Sequence, residues 1–511
     1  MAPPIPRTVL DPAKAIALWQ KGADDWNNWV DKNPDADVSF NNESFSQYRS
    51  SINNNTISFN QYNFPNGEVD FRGTKFGDGD VFFHKTTFGE GNVNFSGAFF
   101  GEGKIIFNSA EFGKGTVDFS GTTFGKGKVD FSSVKIEEGK VDFSRAKFGD
   151  GDVYFSQTTF GDGDVDFKRA KLGKGHITFS NTTFGKGNIN FKKATFGEGN
   201  ITFNNADFGI GNIDFSHTTL GDGNVSFGGA TWGEGNVSFI GATFGEGYIT
   251  FTNTTFGDGN VSFNNATFGK GDIYFKQATF GEGRINFTNT TFKGNAYFSD
   301  LKNCAQAKSF SFRDVSFDKA FTISGVFGCV VDLVGTKTSH HMELSGLKCC
   351  LQRKSFLGFL KVAKYPEDAA RLRRLKELTE TNRHHEASLR FHADEMRAKR
   401  WNTNETNLFG SCLDMLFDVS CNYGQSIWRP MFGLILLTSI LPLVSNMLPN
   451  IWEFLSLDKE KDSIKVALAN SLPFLSASRS MAISIPSILH QLIALTFIFL
   501  IGLGLRNHFR I

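Results

Sequence analysis

From Phe59 to Phe287 a phenylalanine recurs every twelve residues, with no insertion and no deletion. A second apolar column runs from Phe64 to Phe292 at the same interval and admits only Ile136, Leu172, Leu220 and Trp232 in place of phenylalanine. Fixed apolar columns at a fixed interval mark a solenoid, in which each coil stacks on the last and side chains repeat at the strand separation of about 4.8 Å. A helix is excluded, because the unit V-x-F-x-x-A-x-F-G-x-G-x holds two glycines and its V-x-F alternates with period two. The repeat is the reason phenylalanine reaches 57 of 511 residues.

The two columns are separated alternately by five residues and by seven, as in Phe95, Phe100 and Phe107. A small or β-branched residue stands two before each Phe, Val93 before Phe95 and Ala98 before Phe100, so both can point inward while the residue between points out. On this pattern Phe95, Phe100, Phe191, Phe203, Phe251 and Phe263 are core residues. The spacing resembles the pentapeptide-repeat family, whose A-[DN]-L-x-x units build a four-sided, right-handed β-helix. Here every second side carries two further residues, the G-x of F-G-x-G, which leaves two coil sizes open: four sides in 24 residues or a flat coil of 12. Stacking at 24 sets Glu102 beside Lys126 and Asp150 beside Lys174, whereas stacking at 12 often aligns like charges, which destabilises a sheet. The larger coil is favoured, giving roughly ten coils and a rod of about 50 Å.

A solenoid exposes sheet edges at both ends and needs caps. Residues 1–50 are read as the N-terminal helical cap, an amphipathic helix bearing Trp19, Trp26 and Trp29 and stopped near Pro34; residues 51–347 are the solenoid. Residues 348–429 form a helical linker, with Leu372, Leu375, Leu378 and Leu389 at helical spacing on one long charged helix. Residues 430–511 hold two uncharged runs, Pro430 to Trp452 and Ser480 to Leu505, each long enough to span a bilayer core of about 30 Å. Arg429 precedes the first and Arg506, His508 and Arg510 follow the second, which by the positive-inside rule places N-terminus, solenoid and C-terminus in the cytoplasm, with a multi-pass protein in the inner membrane. Between the spans an outer loop holds VALANSLPFLSAS, too short to cross but suited to an interfacial or re-entrant segment.

The series W-N-N-W, β-helix, E/R-rich helix, N-Y-G-Q-S-I-W-R-P (Asn422 to Pro430), N-S-L-P-F (Asn470 to Phe474) and terminal G-L-R-N-H-F-R-I resembles membrane-anchored bacterial pentapeptide-repeat proteins from end to end. Its span, loop, span layout is similar in outline to two-helix ion channels, although no T-V-G-Y-G filter occurs. Asn470, Ser471 and Pro473 are therefore the candidate pore residues, joined by His490 and Gln491, polar groups within a span.

Other chemistries find less support. GDGD at Gly77 to Asp80 suggests a calcium roll, but Lys and Asn at equivalent positions break any carboxylate ladder, and the glycines are read as serving positive φ at corners. His384, His385, His392 and Glu395 lie on a charged helix whose solvated face is the ordinary explanation. Thr219, Thr231, Thr243, Thr255, Thr267, Thr279 and Thr291 form an outward column, as an ice-binding ladder would, yet β-propensity alone produces it. Interleaved lysines and a net charge of +1 argue against DNA mimicry and against nucleic-acid binding. The six cysteines lack zinc-type spacing and the opening MAPPIPRTVLDPAKAIALWQ lacks an apolar signal core, which predicts a reducing compartment for the main body. No catalytic, cofactor-binding or metal site is assigned, and an enzyme is not expected.

Two functions are expected from different classes. In one, chains associate as a homo-oligomer through the two spans to form a pore that the cytoplasmic rod gates. In the other, the spans anchor a rigid rod in the lipid bilayer and the rod displays a surface to a protein partner.

Overall fold

The computed structural model describes residues 7–51, 55–356, 360–402, 405–447, 471 and 485–509, which fall in two compact units, Met1–Cys350 and Leu351–Ile511. The first unit is a parallel β-solenoid of 24-residue coils. On one wall Val69 pairs with Val93, Val93 with Val117 and Val117 with Val141. Half a coil away, Ile57, Val81, Ile105 and Val129 pair in the same way. These walls are sheets of 13 and 14 strands. The 12-residue coil is excluded, and 14 stacked strands make a rod of about 60 Å, longer than the regular repeat implies because irregular coils extend it. The x-F-G segments build the two remaining walls. The outward threonines are thereby split between opposite walls, Thr219, Thr243, Thr267 and Thr291 on one and Thr231, Thr255 and Thr279 on the other.

Four phenylalanines per coil fill the square interior. Each stacks on its equivalent one coil away, Phe95 on Phe119 at 4.8 Å between ring centroids and Phe191 on Phe215 at 4.6 Å. Rings from facing walls meet edge to face, as Phe191 and Phe203 do at 6.0 Å and 85°, the arrangement that suits the ring quadrupole. Phe95, Phe100, Phe191, Phe203, Phe251 and Phe263 are fully buried. Threonine alternates with alanine in the small inward column because its hydroxyl finds a partner: Thr122, Thr182 and Thr254 donate to the carbonyls of Phe95, Phe155 and Phe227. A burial that would otherwise leave an unpaired hydroxyl is thus satisfied.

The glycines of F-G-x-G mostly do not supply positive φ, contrary to expectation. Left-handed backbone falls instead on the residue before the small inward one, for example Lys193 at φ 58° and Asn205 at φ 55°. The glycines are required by close approach: a Cβ on Gly199 would lie 2.0 Å from the carbonyl oxygen of Gly175 in the coil below. Where Asp or Asn follows the pair, it has its own structural role. Its side-chain oxygen accepts the backbone N–H of the residue one coil on, as Asp164 does for Asn188, Asn188 for Asn212 and Asn212 for Asn236. This pairing explains GDGD without an ion. Corner charges meet across coils as the 24-residue spacing predicts, with Lys126 3.7 Å from Glu102 and Lys270 3.1 Å from Glu246.

The N-terminal cap is two helices rather than one, α1 (Pro12–Trp19) and α2 (Ala23–Lys32). They part at Gly22, whose φ of 101° few other residues adopt. They are inserted between β1 (Val9–Leu10) and β2 (Asp37–Ser39), which pair in parallel as the first rungs. The cap closes the open edge with its own donors and acceptors. The indoles of Trp19 and Trp26 donate to the carbonyls of Ser58 and Asn63, and Asn27 both donates to Gln61 O and accepts from Asn63 N–H. The W-N-N-W signature is therefore an edge cap. At the far end the register loosens after Phe292, where Ile273 pairs with Ala296 and Ala296 with Phe321.

Phe191→Ala removes a ring stacked on both sides and is expected to cost about 3 to 5 kcal/mol, read from denaturant unfolding; a loss under about 1 kcal/mol would contradict an inward column. Gly199→Ala, a change of one methyl group, is expected to destabilise by about 1 to 3 kcal/mol. An unchanged melting temperature for that variant would show that the coils can separate at the corner without penalty.

Candidate functional site

The second unit carries the candidate residues. Its charged segment, expected as one long helix, is a hairpin of α3 (Asp368–Thr381) and α4 (His385–Lys399). The leucine spacing runs on, but the backbone stops at Arg383, which takes φ 63°. His384 N–H then reaches the Thr379 carbonyl at 2.8 Å and Arg383 N–H the Glu380 carbonyl at 3.1 Å, the paired bonds of a Schellman ending. Glu395, with 3% of its surface exposed, is held by Arg373 and Lys399. Burial opposes its ionisation, but those hydrogen bonds outweigh burial and keep its pKa below the ordinary range. Burial, followed by Lys376, lowers the pKa of His392. Glu395 is thus committed to ion pairs within the hairpin.

Helix α5 (Leu408–Cys421) lies against α4 through a buried ionic network. Arg397 donates to Asp418, and Arg400 donates to Asp414 at 2.6 Å, to Asp418 at 2.9 Å and to the Tyr423 hydroxyl at 2.7 Å. Arg397 also bonds Asn422. Burial works against the Asp418 carboxylate, yet Arg397 and Arg400 hold its pKa below the usual range. The N-Y-G of the sequence signature is the turn that leaves α5: Asn422, Tyr423 and Gly424 have φ of 51°, 54° and 76°. A left-handed tyrosine costs roughly 1 to 2 kcal/mol, which is offset by its hydroxyl donating to Asp414 while accepting from Arg400. Next, the Ser426 hydroxyl accepts the N–H of Arg429 at the start of α6 (Trp428–Met447), and Arg429 reaches back to the Asp418 carbonyl.

Among the described residues two further helices follow, α6 and α7 (Ile485–His508). Gly433 admits the Phe497 ring, which a Cβ would meet at 2.5 Å, and Asn507 donates to the Gly424 carbonyl at 3.1 Å. Small residues at such contacts let apolar helices approach closely. Of the candidate pore residues, Ser471 and His490 are brought together: the Ser471 hydroxyl lies 3.0 Å from His490 Nε2, and both side chains are buried. Gln491 sits half-buried on α7. Asn470 and Pro473 lie outside the described residues. Among the described residues one helix, Ile488–His508, is long and apolar enough to cross a membrane. The reading of sequence missed the buried network, whose signal was two arginines three apart at the end of α4, Arg397 and Arg400, and two aspartates four apart on α5, Asp414 and Asp418.

The lowered pKa values of Asp418 and Glu395 link this unit to pH. A depressed carboxylate stabilises the fold fully above its unfolded value, about 4, and the contribution is lost as pH falls through the folded value. Amide exchange in α4 and α5, corrected for intrinsic rates, is expected to accelerate as pH drops below about 4. Unchanged protection on acidification would mean that the network contributes nothing to local stability.

No curated protein and no solved structure matches the chain. Residues 258–302 match the family model described as pentapeptide repeats (9 copies), so this stretch of the solenoid is similar to that family.

Proposed function

We propose that the chain is a membrane-attached rod that presents its outer faces to a protein partner, with the solenoid on the cytoplasmic side. The observation that carries this reading is the sealed interior. A void lined by Phe112, Phe131, Val134 and Ile136, where isoleucine replaces the column's phenylalanine, is about 10 Å³ and apolar. Ligand pockets are typically 300 to 1,000 Å³, so the interior offers no room for a substrate and function belongs to the surface. Apolar α7, with Arg506 and His508 in its last turn, supplies the attachment. A second span through α6 fits the same topology.

The homo-oligomeric pore is the competing reading. Ser471 and His490 hydrogen-bond to one another inside a single chain, which engages two of the five candidate pore residues away from a water-filled axis. Purified full-length protein distinguishes the two. The rod reading expects particles without a symmetric ring, no conductance in planar bilayers, and thiol labelling from outside intact cells that misses a cysteine at Asp300. A closed ring with steady unitary currents would replace the rod by the pore, and labelling at Asp300 would reverse the orientation.

A further inference from the structure

Helix α5 is turned inside out relative to a helix of a water-soluble protein. Leu408, Phe409, Cys412, Leu413, Leu416 and Val419 share one arc of the helix at the spacing of turns, and all six are exposed, Leu408 at 75% and Phe409 at 72%. The opposite arc carries Ser411, Asp414, Asp418 and Cys421, with its carboxylates bound to Arg397 and Arg400. A surface helix in water buries its apolar stripe and exposes its charges. Here the charges are inside and the exposed arc has none. The medium that suits this face is apolar.

The neighbouring surface points to what that medium is. α5 packs beside α6 and α7, and the exposed apolar side chains continue onto Trp428, Phe432 and Ile435 of α6 and onto Leu492 and Phe499 of α7, the candidate span. At 14 residues α5 is about 21 Å long, too short to cross a hydrocarbon core of about 30 Å. Trp428 and Arg429 follow it, residue types that favour the zone between headgroups and acyl chains. We propose that α5 is an interfacial helix, lying along the bilayer with its Leu408 to Val419 face seated at the headgroup and acyl boundary. This rests on the reading that α7 enters the membrane. Arg397 and Arg400 then have a definite task, because they neutralise the two aspartates that would otherwise hold α5 in water.

Cys412 provides the test, since it lies on the proposed lipid face while Cys304, Cys329 and Cys421 are buried. In full-length protein with Cys349→Ser and Cys350→Ser, a fluorophore on Cys412 is reconstituted in vesicles of phosphatidylcholine and phosphatidylglycerol. A second protein, with Cys412→Ser added, carries the fluorophore at Leu495→Cys on the exposed side of α7. Both probes are expected to lose most of their emission to nitroxide-bearing lipids and little to aqueous iodide, the Cys412 probe responding best to a nitroxide near the headgroup. Iodide quenching at Cys412 with lipid quenching at Leu495→Cys would overturn the interfacial helix and leave the anchor intact. Protection of Cys412 from both quenchers, with energy transfer between labelled chains, would assign the face to a second copy and equally overturn the proposal. Iodide quenching at both positions would overturn the anchor itself.

Discussion

The rod depends on a phenylalanine ring lying over another phenylalanine ring at the spacing of stacked strands. The ring separations of 4.6 to 4.8 Å for Phe191 on Phe215 and Phe95 on Phe119 are close to the strand separation itself. Backbone ladder and aromatic stack therefore repeat together and neither strains the other. The remaining positions of the unit serve that match. Glycines let the corners approach, as at Gly199 over Gly175. Asp164 and Asn188 accept corner amides, and the Thr122 hydroxyl donates to the Phe95 carbonyl.

Helix α5 is patterned the other way round from a helix in water. On α5 the charged residues turn inward, Asp414 and Asp418 against Arg397 and Arg400, while Leu408, Phe409, Leu413 and Leu416 face out. Buried ion pairs seldom raise stability over an apolar replacement. In this place they have a positional effect, because they fix which side of α5 can meet a non-aqueous surface.

How much was legible in the sequence follows from the range of the interactions concerned. The solenoid and its inward columns were plain, since period and residue type repeat along the chain, and the oppositely charged Glu102 and Lys126 favoured the 24-residue coil that the strand register establishes. The reason for the glycines was hidden, because flexibility and close approach select the same residue. The break at Arg383 was missed since Leu378 and Leu389 keep a helical spacing across it. The pattern of α5 is amphipathic whichever face is buried, so only coordinates reveal that Asp418 is inside and Leu416 outside. The Ser471 and His490 pair joins segments 19 residues apart that no periodicity connects.

The 24-residue register also governs how such a chain acquires its fold. Each coil closes only against the one before it, so the pairing partners of any strand in the regular region are 24 residues away, a short separation for an all-β protein, and short separations favour fast folding. The cap of Trp19, Trp26 and Asn27 leaves the ribosome before the coils and blocks the leading edge. Growth then has a single open end, on which each newly emerged coil finds a finished template. The solenoid is built in the direction of synthesis, like a stack laid from a sealed base.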